Sequence, residues 1–371
     1  MKLQILFLVL IIGLGTSCKK VLNPNIDTVK LPIVVDGLIT DEAKPYTIKL
    51  TMGSNYNGNG YTSYVTNAKV SVQDDCGHTY KFIESGLGSY VSNPSEFVAQ
   101  PGRSYTLHIE TKEKDMYESS PQLLLPNNFN VKTYGVSGTQ DQLIDDGMGD
   151  PLKVTISGVN LLVDIDNNAD TVPRFRFDTQ IHTEYSYTIA ISQAMSYVYY
   201  CWQINSLNDL VNITDDQYQT SEKNITKHQI CFLPTKYIYD ASYLDSVTKM
   251  VSDVQASIQN RVATVTRYRI NSETYQYYKN VNSLLSAQGK LFDPIPFQFK
   301  GNITCTSDPQ KFALGFFEAS SVQINYFASH PGLKNILKIN GFSPPYPSGC
   351  MGYIQLNEPP VTPNPPDFWV Y

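Results

Sequence analysis

Residues 33–51 read IVVDGLITDEAKPYTIKLT, and this stretch decides the fold class. Residues 33–40 form an apolar, β-branched run, and residues 46–51 alternate between polar and apolar side chains. Both patterns are typical of strands, and a polar segment that contains a proline separates them. The stretch therefore predicts two successive strands at the start of a β-rich fold.

Similar segments follow as far as residue 120. Five further strand-like runs are separated by turn residues and cover residues 68–73, 78–84, 86–92, 104–111 and 116–120. Roughly seven strands within about 90 residues are typical of a small antiparallel β-sandwich. Because Pro121 and Pro126 then mark a boundary, we predict a β-sandwich domain over residues 32–126.

The second region also contains strand patterns, for example at 153–167 and 263–270. It includes one convincing helix, in which apolar residues recur at a spacing of three to four positions. These residues are Tyr275, Tyr278, Val281 and either Leu284 or Leu285. Asn271 or Ser272 can cap the start of the helix, and Gly289 can end it. We predict a β-rich domain over residues 127–371 with a helical insertion near 272–288, and we expect the aromatic residues of the C-terminal tail to pack against it.

The N-terminus has the order of a signal peptide, with Lys2, then an apolar run, then small residues that precede Cys18. The apolar run is shorter than the about 20 residues that cross a bilayer. A cysteine in this place resembles a lipobox, so we predict a signal peptide over residues 1–17 and a lipid anchor on Cys18. Residues 18–31 are polar and read as a tether. An ordinary secreted protein is the alternative.

The composition excludes one class of partner and leaves the cysteines open. The net charge of −6 is not clustered into a basic surface, so we expect no nucleic acid partner. Apart from Cys18, five cysteines enter a compartment that permits disulfides, and an odd number leaves at least one unpaired. We prefer two pairs that close loops of moderate length, and other pairings stay open. The preferred pairs are Cys201–Cys231 and Cys305–Cys350.

Catalytic patterns such as G-x-S-x-G, a phosphate loop or H-E-x-x-H are absent from the sequence. Closely spaced oxygen ligands suggest a calcium site at Asp164, Asp166 and Asp170, together with Asn167 and Asn168. The alternative is a solvated polar turn, since the twelve-residue calcium loop is missing. The same two readings apply to a second cluster, which comprises Asp145, Asp146 and Asp150.

Aromatic side chains in the second region suggest a surface on which sugars can stack. In a β-rich chain such residues also serve as core residues or cross-strand partners, and that alternative stays open. The candidates are Tyr185, Tyr187, Tyr197, Tyr199, Tyr200 and Trp202.

The succession of motifs resembles a Bacteroidota lipoprotein family of unknown function, domain-of-unknown-function family 4249, from Cys18 to about Trp369. The motifs that carry the resemblance lie at residues 33–51, 67–82, 101–111, 117–121, 289–303, 313–322, 344–350 and 365–369.

The resemblance implies an outer-membrane lipoprotein with an immunoglobulin-like or transthyretin-like N-terminal sandwich. Members are often encoded beside TonB-dependent receptors, and no catalytic residues are established for them. We therefore expect a non-enzymatic protein without a cofactor, held to outer-membrane lipid through acylated Cys18. We expect display on the cell surface rather than in the periplasm, although Lys19 and Lys20 stand where members often have acidic residues. Cys76 is the candidate for the unpaired thiol, because it lies in a turn where members lack a cysteine.

Three hypotheses for the function follow. The leading one is a ligand-binding protein or an accessory partner of a TonB-dependent receptor. The second is a structural or assembly component of the cell envelope. The third is a glycan-active enzyme, which requires two carboxylates that meet across a cleft in the folded chain.

Overall fold

The protein is mainly β, as the sequence predicts, with one helix among the residues that the structure describes. The computed structural model describes residues 31–53, 62–144, 152–167, 172–192, 195–206, 210–214, 224–234, 254–286, 300–328, 361–362 and 365–368. The predicted signal peptide, the tether as far as residue 30 and several candidate residues lie outside these ranges. Those candidate residues are Cys18, Asp145, Asp146, Asp150, Asn168, Asp170, Gly289 and Cys350.

The N-terminal part consists of short strands, of which seven lie at the positions that the sequence predicts and two, β3 and β9, are additional. They are β1 (Ile33–Thr40), β2 (Thr47–Met52), β3 (Ser63–Tyr64), β4 (Lys69–Asp74), β5 (Thr79–Gly86), β6 (Ser89–Ser92), β7 (Ser104–Glu110), β8 (Met116–Ser119) and β9 (Gln122–Leu123). Apolar residues alternate with polar ones along most of these strands, so each strand buries one face and exposes the other.

The following part has much longer strands and the helix. The strands are β10 (Asn130–Ile144), β11 (Leu152–Asp166), β12 (Phe175–Ser192), β13 (Met195–Ser206), β14 (Asn212–Ile213), β15 (Ile225–Pro234), β16 (Val254–Arg269), β17 (Ile303–Cys305), β18 (Ala313–Ala328) and β19 (Val361–Thr362). The helix is α1 (Ser272–Ser286). Within the described residues, no helix is long and apolar enough to cross a membrane.

One strand, β18, belongs to both parts of the molecule. Its first half pairs in parallel with β1, from Ala313 opposite Ile33 to Ser320 opposite Thr40. Its second half pairs antiparallel with β16, from Ser321 opposite Arg269 onward. A 16-stranded sheet therefore runs without interruption through both parts, and β10, β11 and β15 form a separate three-stranded sheet.

The N-terminal core also includes residues of β17 and β18, which come much later in the chain. Ile303, Cys305 and Phe317 are buried in the same cluster as the apolar residues of β1 to β8. The predicted span of 32–126 is thus completed by β17 and the first half of β18, because β1 would otherwise leave one edge unpaired. We call β1 to β9, β17 and the first half of β18 the N-terminal β-region, and β10 to β16 with the second half of β18 the C-terminal β-region.

A second core lies between the three-stranded sheet and the long strands. Phe175, Phe177 and Ile181 of β12 are buried there, together with apolar residues of β11, β15 and β16. Since side chains alternate along a strand, the even-numbered residues of β12 lie on the opposite face of the sheet. That opposite face carries α1 and the candidate site described below.

The helix α1 is capped and attached as its sequence indicates. The side-chain oxygen of Asn271 accepts a hydrogen bond from the backbone N–H of Thr274 at 2.9 Å, which is an N-cap contact. Gln122 of β9 donates to the carboxylate of Glu273 at 2.7 Å and accepts from the Asn271 amide at 2.9 Å. The first turn of α1 therefore joins the N-terminal β-region to the strand that precedes the helix.

Candidate binding surface on the outer face of the long strands

The outer face is the side of β12, β16 and β18 on which α1 lies. In the ladder of β12 and β16, Arg176 stands opposite Tyr268, and the two strands stay paired from there as far as Ile189 and Val254. β18 continues the same rows, with Val322 opposite Tyr268. The helix α1 covers one end of the outer face through Tyr278, and the C-terminal residues 365–368 cover the other end through Phe368.

A buried ion pair supports the α1 end. Arg176 Nη2 lies 3.1 Å and 3.2 Å from the two carboxylate oxygens of Glu318. The Tyr278 hydroxyl donates to the same carboxylate at 2.6 Å, and the Ser320 hydroxyl donates to it at 2.8 Å. The Glu318 side chain is 2% exposed, so its charge depends on these four contacts rather than on water.

Aromatic rings enclose the guanidinium of the pair. Its central carbon lies 3.9 Å from the ring centre of Tyr268 and 4.9 Å from that of Tyr278, within the range of cation–π attraction. Burial is the largest influence and opposes the charge of Arg176, but Glu318, Tyr278 and Tyr268 together outweigh it and raise the pKa of Arg176. Burial raises the pKa of Tyr268 to about 12. The ion pair and the Tyr278 hydroxyl together fix α1 to the sheet.

The opposite end of the outer face is closed by the tail. The ring of Phe368 meets the ring of His182 edge-on at 4.8 Å and that of Tyr326 at 4.7 Å. This contact confirms that an aromatic residue of the tail packs on the body. His182 is buried, its Nε2 lies 3.2 Å from the Thr264 hydroxyl, and burial lowers the pKa of His182. The imidazole is therefore neutral at neutral pH.

Among the predicted sugar-stacking aromatics, the structure describes the side chains of Tyr200 and Trp202. Trp202 is 1% exposed and stands opposite buried Glu184 in the ladder of β12 and β13. In the backbone ladder of β12 and β13, Tyr187 pairs with Tyr199 and Ser186 pairs with Tyr200. The side chains of Tyr185, Tyr187, Tyr197 and Tyr199 lie outside what the structure describes, so the sugar-stacking surface stays a prediction.

Exposed side chains occupy the middle of the outer face. Ile324 is 37% exposed and Tyr326 is 41% exposed, two residues apart on β18. Gln180 of β12 is exposed in the same region, and Asp178 is half-buried. We call Asp178, Gln180, Ile324 and Tyr326 the central surface. The central surface combines apolar area with hydrogen-bonding groups, and it lies between the end covered by α1 and the end covered by residues 365–368. This composition is typical of a surface that binds another molecule.

The predicted calcium ligands already have donors of their own. One carboxylate oxygen of Asp164 accepts from the backbone N–H of Lys227 at 2.7 Å and from the Tyr134 hydroxyl at 3.2 Å. Asp166 accepts from the Asn130 amide at 3.0 Å. Asp170 lies outside the described residues, and within them no three His, Cys, Asp or Glu side chains are grouped to hold a metal ion.

The cysteines that the structure describes with their side chains carry free thiols. They are Cys76, which is exposed, and Cys231 and Cys305, which are buried. The preferred partners, Cys350 and the side chain of Cys201, lie outside what the structure describes, so the two preferred pairings stay predictions. Burial raises the pKa of Cys231 to about 12, in part offset by a hydrogen bond with Thr179 of the facing strand β12. That thiol points into the second core.

The sequence patterns did not single out Arg176 and Glu318. The only available signal was a charged residue inside an apolar run, since Arg176 stands between two phenylalanines and Glu318 follows two. Lys, Arg, Asp and Glu are seldom fully buried unless they are paired. A search for isolated charges within strand patterns would have found both residues, although it would not have paired them.

Comparison with known proteins identifies one family. A family model described as "Domain of unknown function (DUF4249)" matches residues 19–324, which is well over half of the chain. The matched range includes α1 and the Arg176–Glu318 pair, whereas Tyr326 and the tail residues 365–368 lie beyond it. No curated protein matches the chain.

Proposed function

Because the chain belongs to the DUF4249 family, whose function is unknown, we propose that it is a non-enzymatic lipoprotein of the outer membrane. In this proposal acylated Cys18 anchors the protein, and the folded part acts as a ligand-binding or accessory partner of a TonB-dependent receptor. The signal-like N-terminus and the cysteine that follows it support the anchor.

The central surface is the observation that carries the proposed binding role. Its exposed residues include Ile324 and Tyr326, which contribute apolar area, and a tyrosine can also hydrogen-bond at the edge of an interface. The ionisable groups beside the central surface have structural contacts, since Glu318 pairs with Arg176 and Phe368 packs on His182. Such a surface favours binding over acid–base chemistry.

The position of the central surface along β18 supports a partner that lies away from the anchor. Ala313 stands beside Ile33, where the chain enters the fold, and Ile324 follows eleven positions later in the same strand. At a rise of about 3.3 Å per residue, the two points are separated by roughly 35 Å. A protein anchored at its N-terminus would therefore present the central surface beyond the N-terminal β-region.

Affinity purification from detergent-solubilised outer membranes tests the proposal. We expect the wild-type protein to recover a TonB-dependent receptor in near-equal amount. The double variant Ile324→Ser/Tyr326→Ser should recover it at least about tenfold less, as for loss of an interface hot spot. Leu123→Ser is the matched control, because Leu123 is 39% exposed but belongs to β9.

Other results would redirect the assignment. Recovery of the lipoprotein alone would contradict a receptor partnership. An envelope defect after gene deletion, without any nutrient-specific growth defect, would favour a structural or assembly role. Release of sugars from envelope glycans by the purified protein would favour the glycan-active enzyme.

A further inference from the structure

The chain enters the fold at one end of the N-terminal β-region. The carbonyl of Pro32 accepts a hydrogen bond from the N–H of Gly53 at 2.8 Å, and β3 pairs with β2 at that same end. The carbonyl of Gly88, in the turn between β5 and β6, accepts from the N–H of Leu50 at 2.8 Å. We call this end, with Pro32, Tyr64 and Gly88, the entry end.

Large apolar side chains are exposed at the entry end and on the adjoining part of β5, where Ile83 lies. Leu87 is 68% exposed, Ile83 is 67% exposed and Tyr64 is 47% exposed. Half-buried Val91 stands directly opposite Ile83 in the ladder of β5 and β6. We call Tyr64, Ile83 and Leu87 the entry patch. Scattered exposed apolar residues are ordinary on a protein surface, whereas neighbouring ones indicate an interaction site.

The turn that carries Leu87 is fixed by its backbone. Gly88 has a positive φ of 65°, which favours glycine. A Cβ atom at this position would lie 2.4 Å from the carbonyl oxygen of Leu50, and it would also approach the Tyr64 side chain at 3.2 Å. Only glycine fits, so the turn is held against β2 and β3 while Leu87 stays exposed to solvent.

Positive charges accompany the entry patch. Lys49 and Lys81 are exposed, and neither forms an ion pair with any residue that the structure describes. Lys81 lies two residues before Ile83 on the same face of β5, and Lys49 pairs with Ser89 beside the turn. Apolar side chains with free lysines beside them suit the surface of a bilayer that contains anionic lipid.

We propose that the entry patch docks on the phospholipid surface, with Leu87 at the boundary between headgroups and acyl chains. The inference rests on the proposed anchor at Cys18. Residues 18–31 separate that anchor from Pro32, and at most about 3.6 Å per residue gives a reach of about 50 Å. A tether of this reach lets the entry end contact the membrane, and docking through the entry patch would turn the opposite end of the N-terminal β-region away from it.

Tryptophan fluorescence in vesicles tests the docking. The mature lipidated chain is reconstituted in vesicles of phosphatidylethanolamine and phosphatidylglycerol that carry brominated acyl chains, which quench tryptophan within the bilayer. We expect Leu87→Trp to be quenched clearly more than the wild type, whose Trp202 and Trp369 provide a constant background. Leu123→Trp is the matched control, because Leu123 is exposed at the opposite end of the N-terminal β-region.

The same vesicles separate docking from anchoring. If the wild-type protein floats with the vesicles and Leu87→Trp is quenched no more than Leu123→Trp, the docking is overturned and the anchor stands. If the wild-type protein does not float, the anchor is overturned and the docking with it. Clearly stronger quenching of Leu87→Trp than of Leu123→Trp, in a protein that floats with the vesicles, supports both the docking and the anchor.

Discussion

Arg176 and Glu318 form a buried ion pair across 142 residues of the chain, and it joins β12 to the strand shared by both β-regions. We expect Glu318→Gln to lower the free energy of unfolding by about 3 to 5 kcal/mol, because a buried guanidinium loses its counter-charge. Urea denaturation followed by circular dichroism measures the change.

The control for the ion pair is Glu110→Gln, since Glu110 pairs with Lys69 and Lys114, whose side chains are largely exposed. Exposed pairs contribute little, so the stability of this variant should stay close to that of the wild type. Equal effects of the two substitutions would mean that the Arg176–Glu318 contact is not buried in solution.

Shortening the chain tests the shared strand. A chain that ends at residue 126 keeps β1 to β9 but loses Ile303, Phe317 and Ala319 from the N-terminal core. We expect it to unfold without a cooperative transition, because β1 loses a paired neighbour and the core is left open. Addition of a peptide covering residues 300–328 should restore protection of β1 amides in hydrogen exchange. A cooperative transition of the short chain alone would show that this region folds independently.

Acidification should weaken the fold through His182. The unfolded chain takes up a proton on this residue near its ordinary pKa of about 6.5, whereas burial lowers the pKa of His182 in the folded state. Below about pH 6.5 the unfolded state therefore binds more protons, and the free energy of unfolding falls as the pH falls. Above that pH the residue has no such effect.

His182→Gln isolates this contribution from the carboxylates that titrate at lower pH. We expect the stability difference between about pH 7.5 and about pH 5 to be smaller in His182→Gln than in the wild type. The same pH dependence in both proteins would show that His182 is accessible to solvent and that Phe368 does not cover it.

Thiol labelling distinguishes the free cysteines of the structure from the preferred disulfides. Cys76 should react in the native protein, because it is exposed. Cys231 and Cys305 should react only after denaturation, since both are buried and burial raises the pKa of Cys231 to about 12. Peptide mapping under non-reducing conditions provides the readout. Failure of both buried residues to label in denaturant without a reductant would support the Cys201–Cys231 and Cys305–Cys350 bridges.

The sequence was sufficient where the structure is local. Alternation at residues 46–51 predicted β2, and the spacing of Tyr275 and Tyr278 predicted α1. Asn271 was one of two proposed caps, and its contact with the third following residue confirms it. Each of these signals lies within a few residues, because turns, caps and amphipathic faces depend on near neighbours.

The sequence was insufficient where distant segments meet. Nothing near Ile33 indicates that its partner on one side is Ala313. The apolar run of β1 is typical of a strand with neighbours on both edges, but it does not name the second neighbour. The candidate site has the same limit, since Arg176, Glu318 and Phe368 come from three separate segments.

The parallel pairing of β1 with β18 has a mechanical consequence. The N-terminal segment joins β1 at Ile33, whereas β18 continues past Ser320 toward the C-terminal β-region. A pull on the N-terminus that is resisted at the far end of the molecule draws the two strands in opposite directions along their length. The ladder is then loaded in shear, so its hydrogen bonds share the force and must fail together instead of opening one after another. The rupture force of this ladder, measured by single-molecule pulling, should therefore exceed that of a ladder of equal length that opens one hydrogen bond at a time.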